Sequence, residues 1–128
     1  MMSTTEGRRI LVVDDERVIA DSLTAILCTQ GYSAKAVYSA AGAMAAAHDL
    51  TPDTVISDVF MPEMNGIELA SYFAENHPTC AVMLMSGDDS APALLDAALR
   101  QARPLSRQNK PVTPTQILEW LSSLAPIN

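Results

Sequence analysis

Ile10-Leu11-Val12-Val13-Asp14-Asp15-Glu16 runs four apolar residues straight into three carboxylates, and its two halves carry different information. A continuous apolar run of this kind marks a strand buried on both faces, which belongs to a parallel sheet covered by helices. The acids that close the run have no place in such a core, so they mark the carboxyl end of the strand. Residues 17–30 follow with Ile19, Leu23, Ile26 and Leu27 at helical spacing, and Gly31 stands where the helix should stop.

The same alternation continues to the end of the chain. Ser33–Val37 reads as a weaker strand, 40–48 as an alanine-rich helix, 54–57 as a third strand after Pro52, and Gly66–Asn76 as a helix offering Ile67, Leu69, Ala70 and Phe73 to the core. A fourth apolar strand is expected at 81–85 and a helix at 91–101, with Pro92 in its tolerant first turn. The fifth strand falls within 105–108, and the last helix is capped by Thr113, opens on Pro114 and aligns Ile117, Leu118, Leu121 and Leu124. Five strand–helix repeats predict a doubly wound parallel sheet with helices on both faces.

Sheets of this kind bind ligands outside the carboxyl ends of their strands. Asp14 and Asp15, Asp58, Ser86 and Lys110 end strands one, three, four and five. Three carboxylates in one cleft repel one another, and a hard divalent cation with oxygen ligands relieves this; Mg²⁺ suits an open site of few carboxylates. A transferring phosphoryl group has three charged equatorial oxygens to satisfy. The metal, the Lys110 ammonium and the Ser86 hydroxyl with nearby N–H groups supply one electrophile each, and Asp58 is left as the in-line nucleophile. Singly, each residue has an ordinary reading as a helix cap, a turn former or a surface lysine. The ordered set points to phosphoryl acceptance.

Composition removes other classes. The chain has 128 residues, 48% of them apolar, enough for one domain with a real core. No apolar run approaches the ~20 residues of a membrane span, and residues 1–7 lack the layout of a secretion signal. A cytoplasmic location follows, with Cys28 and Cys80 expected as reduced, buried thiols. With 8 basic against 15 acidic residues, the net charge of −7 leaves no basic stripe for direct nucleic-acid binding. The expected organisation is a mobile tail (1–7), one domain (8–125) and a short tail (126–128). His48 and His77 read as solvated residues, and Trp120 as lying at the edge of the core.

The sequence resembles the receiver domains of bacterial two-component systems. The resemblance spans roughly residues 9–124 and rests on the opening stretch, on Pro52-Asp53-Thr54-Val55-Ile56-Ser57-Asp58-Val59-Phe60-Met61-Pro62-Glu63-Met64-Asn65-Gly66, on Met85-Ser86-Gly87 and on Lys110-Pro111. It implies a flavodoxin-like sheet of order 2-1-3-4-5. It also implies Asp14 and Asp15 as the acidic pair holding Mg²⁺, Asp58 as phosphoacceptor and metal ligand, and the Phe60 carbonyl as a further ligand. Ser86 becomes the switch hydroxyl, Lys110 the phosphate-binding lysine, and Lys110-Pro111 a cis bond. Implied partners are a histidine kinase or histidine phosphotransfer protein and a downstream effector protein, with the domain a monomer or weak homodimer and no enzyme beyond its own phosphorylation and dephosphorylation. Two rivals are a phosphatase or phosphotransferase with an aspartate nucleophile, which would need two aspartates on the first strand separated by one intervening residue, whereas Asp14 and Asp15 are adjacent, and an adaptor acting without phosphorylation. One departure stands out: the family carries an aromatic shortly before the lysine, and here that position is Arg107, with no Phe, Tyr or Trp between Phe73 and Trp120.

Overall fold

The computed structural model describes residues 8–58, 66–86, 105–109 and 114–124. Outside these lie the two tails, Phe60, the helix expected at 91–101, Lys110, the Lys110-Pro111 bond and Thr113. The elements are β1 (Arg9–Val13), α1 (Arg17–Thr29), β2 (Ser33–Val37), α2 (Ala40–Leu50), β3 (Thr54–Asp58), α3 (Gly66–Asn76), β4 (Ala81–Ser86), β5 (Leu105–Asn109) and α4 (Pro114–Ser123). All five strands form one sheet in the order β2-β1-β3-β4-β5, each neighbouring pair parallel. This is the expected doubly wound architecture. Asp58 and Ser86 end their strands, each strand running one residue further than the spans 54–57 and 81–85.

Strand periodicity sorts the core into two layers, because alternate residues face opposite sides of the sheet. Leu11, Val13, Val55, Val82 and Leu84 pack under α2 and α3, against Ala40, Ala43, Ala47, Leu69, Ala70 and Phe73. Ile10, Val12, Ile56, Met83 and Met85 pack under α1 and α4, against Ala20, Leu23, Leu27, Ile117 and Leu121. Trp120 and Leu124 border this second layer, which matches the core-edge reading of the tryptophan. Gly31 ends α1 as expected, with φ 96°, a left-handed turn that glycine adopts without strain. The structure adds that Ser39 caps α2 by accepting the Gly42 N–H at 3.0 Å.

Two expectations fail on the same helix. Ile19 is 39% exposed, and Ala20 takes its place in the buried stripe with Leu23 and Leu27. Cys28 is exposed, whereas Cys80 is buried as expected. Successive helical residues are rotated by about 100°, so a residue beside the stripe is turned away from the sheet however apolar it is. The helix sits close to the sheet on the methyl group of Ala20, a contact that a ranking by hydrophobicity does not select.

Candidate functional site

The acidic corner is assembled by backbone pairing. Val13 of β1 lies in register with Ser57 of β3, so Asp14 and Asp58 come next to each other one step beyond. Asp14 is held on two sides: its N–H donates to the Val37 carbonyl at 3.2 Å, and its Oδ1 accepts the Glu16 N–H at 3.0 Å. The second bond is a local aspartate turn that releases the chain from the strand and starts α1. Glu16 occupies the N-cap of that helix without a side-chain capping bond. Asp15, between them, is exposed. The Ser57 hydroxyl donates to the Asp58 carbonyl at 2.9 Å inside the sheet and so satisfies a buried polar group at the end of β3.

Asp14 is fully buried, Asp58 is 6% exposed, and one carboxylate oxygen from each of Asp14, Asp15 and Asp58 lies within 4.8 Å of the others. Unit charges at that separation repel by roughly 1 kcal/mol in water and by roughly 3.5 kcal/mol at an effective dielectric of about 20. The donor set is all oxygen, converges on one point and is open to solvent at Asp15. These are the requirements of a hard divalent cation that keeps part of its water shell, so the residues fit Mg²⁺.

Ser86 ends β4 one register step past Met85, which pairs with Asp58, and it pairs in turn with Asn109 at the end of β5. The ends of β1, β3, β4 and β5 therefore come level at one edge, and Lys110 follows Asn109 directly in sequence. Phe60 and Lys110 lie outside the described residues. Neither histidine belongs to the site. His48 is exposed in the last turn of α2. His77 departs from its solvated reading: it is half-buried beyond the end of α3, with ring centroids 5.2 Å from Phe73 and 5.9 Å from Tyr72.

Sequence reasoning did not pick out one neighbouring cluster. The Tyr38 hydroxyl donates to Asp21 at 2.6 Å, and the Arg17 guanidinium sits 4.0 Å above the Tyr38 ring. The hydrogen bond to Asp21 is the main cause of a Tyr38 pKa above the ordinary tyrosine value. The four-residue spacing of Arg17 and Asp21 was visible in the sequence, but nothing local announced the ring between them.

Residues 10–122 match the family model of the response regulator receiver domain. The DNA-binding response regulator MtrA of Mycobacterium tuberculosis is 33% identical over 91 residues, which cover 71% of this chain and 40% of that protein. The chain thus spans about 40% of the length of the first curated relatives it matches. Among solved structures, a CheY-like receiver domain protein from Methanospirillum hungatei superposes with a TM-score of 0.82 at 27% identity, covering 89% of this chain and 90% of that one. A two component transcriptional regulator AraC from Clostridium phytofermentans gives 0.79 at 32% identity, covering 91% of each chain.

Proposed function

Because the chain belongs to the response regulator receiver domain family, a family of phosphoaccepting modules in two-component signalling, we propose that Asp58 is the residue that accepts the phosphoryl group. The observation that carries this reading is the convergence of Asp14, Asp15 and Asp58 within 4.8 Å at the carboxyl edge of the sheet. One Asp58 Oδ attacks phosphorus in line, the bond from phosphorus to the donor's imidazole nitrogen breaks, and an acyl phosphate forms on Asp58. Asp14 and Asp15 hold Mg²⁺ together with Asp58, and the family pattern adds the Phe60 carbonyl. An Mg²⁺ ion bound there would supply positive charge to offset the carboxylates and the incoming phosphoryl group. Ser86 and Lys110 serve the other phosphoryl oxygens, a role supported by the end of β4 lying level with Asp58 and by the place of Lys110 straight after β5.

The donor in this reading is a phosphohistidine on a histidine kinase or phosphotransfer protein, and the output is altered binding of an effector protein. The acidic balance argues for protein partners rather than nucleic acid at this domain, although the MtrA relatives are named as DNA-binding. The domain acts on no other substrate. A phosphatase with paired aspartates on its first strand does not fit the adjacent Asp14 and Asp15, and the curated relatives are response regulators rather than adaptors. Among the described residues, no helix is long and apolar enough to cross a membrane. Incubation with acetyl phosphate and Mg²⁺, followed by intact mass measurement, should show one base-labile phosphoryl group. EDTA and Asp58→Asn should each abolish it. Undiminished labelling of Asp58→Asn would move the acceptor elsewhere.

A further inference from the structure

Arg17 occupies an awkward position. It is the first residue of α1, at the positive pole of the helix, and the acids at that end are Glu16 at the N-cap and Asp14 and Asp15 before it, with none in the first turn. It also lies two residues past Asp15, beside a cluster of three carboxylates. Cα–Cβ bonds in a helix tilt toward its N terminus, so the natural reach of this side chain is back toward that cluster. Yet Arg17 makes no ion pair among the described residues. Its guanidinium lies on the face of Tyr38 at 4.0 Å, and the ring is fixed by the 2.6 Å hydrogen bond from its hydroxyl to Asp21. Tyr38 is itself anchored beside the site, because the preceding residue, Val37, accepts the Asp14 N–H.

We infer that Tyr38 and Asp21 form a holding place for Arg17 that keeps its charge out of the Asp14–Asp15–Asp58 cluster and so leaves those carboxylates available to a divalent cation. Arg17 released from the ring competes with the metal, since one guanidinium satisfies two carboxylate oxygens in bidentate fashion. Tyr38 is thus a positioning residue acting through Arg17. The Asp21 bond matters because it fixes the hydroxyl end of the ring on which Arg17 lies. The inference rests on the cluster being the metal site, and the two claims separate in one experiment.

Mg²⁺ is titrated at low ionic strength into the full chain, with amide NMR shifts as the readout, for wild type, Tyr38→Leu, Arg17→Gln and the double variant. Leucine keeps an apolar side chain against the α1-side core that Tyr38 borders. Tyr38→Leu should weaken Mg²⁺ binding roughly three- to tenfold, the size of one charge brought close in a near-surface dielectric. Arg17→Gln should bind Mg²⁺ as well as wild type or up to about twofold better, and the double variant should return to that level. Asp21→Ala, which frees the ring without altering its packing, should show a smaller weakening in the same direction. Unchanged affinity in Tyr38→Leu overturns the inference, as does a double variant as weak as Tyr38→Leu, because the ring would then only be shaping the corner. Failure of wild type to bind Mg²⁺ would instead overturn the metal reading itself.

Discussion

Replacing Asp58 with Asn should make the metal-free protein more stable, against the usual effect of changing a buried residue. Asp58→Asn removes one charge from a cluster whose members stand within 4.8 Å, and hence two repulsive pairs. At that distance each pair costs roughly 1 kcal/mol at the dielectric of water and roughly 3.5 kcal/mol at a dielectric of about 20. Asp15 is exposed and screened, so its pair belongs at the low end, whereas Asp14 and Asp58 are both buried. The Asp14 Oδ1 also accepts the Glu16 N–H at 3.0 Å, which recovers part of the cost. The expected net gain is about 1–2 kcal/mol, or roughly 3–5 °C in Tm per kcal/mol for a domain of this length. Mg²⁺ offsets most of this difference. At a concentration tenfold above its Kd it stabilises wild type by about 1.4 kcal/mol through linkage and does little for the variant. Urea denaturation in EDTA and in Mg²⁺ measures both effects, with the half-buried Trp120, the single tryptophan of the chain, as fluorescent reporter. An Asp58→Asn protein no more stable than wild type in EDTA would refute the repulsion argument. Equal stabilisation of both proteins by Mg²⁺ would remove Asp58 from the metal site.

The two cysteines should separate cleanly by reactivity: Cys28 is exposed, whereas burial, with a smaller contribution from Asp53, pushes the Cys80 thiol up to about 12. An alkylating reagent at pH 8 to 9 should therefore modify one thiol in the native protein and two in urea, and peptide mapping that found Cys80 modified first would contradict the packing described. Phe73 is fully buried between α3 and the sheet, so Phe73→Ala should cost about 3–5 kcal/mol in denaturant titration, and a loss under about 1 kcal/mol would mean that the ring is not part of the core.

The sheet was legible because its central strands carried their own signals. β1, β3 and β4 are apolar runs ended by a polar or acidic residue, and those endings located Asp14, Asp15, Asp58 and Ser86 as well as the fold. β5, with the polar sequence Leu-Ser-Arg-Gln-Asn, was recoverable only because the alternation required a strand before the last helix. What the sequence concealed depends on rotation and distance. Ile19 and Ala20 compete for one stripe, and only the approach of α1 to the sheet decides between them. Arg8 is 3% exposed and donates to Thr54 Oγ1 at 3.2 Å, a burial that no charge pattern announces because its partner is 46 residues away. The Arg17–Tyr38–Asp21 cluster was hidden for the same reason, since it joins the start of one helix to the end of a strand beyond it.

The register of β1 against β3 bears on how such a chain diverges over time. Asp14 and Asp58 are placed by hydrogen bonds of the main chain, which every residue but proline can make, and not by the particular side chains around them. Core positions can then be exchanged for others of similar volume while the acids stay where they are, as the 0.82 TM-score at 27% identity with the Methanospirillum protein illustrates. Insertion or deletion of one residue within either strand is different in kind. It turns every following side chain to the opposite face and separates the carboxylates in a single step. Lineages of this domain should therefore accumulate substitutions throughout these two strands and confine changes of length to the connections between elements.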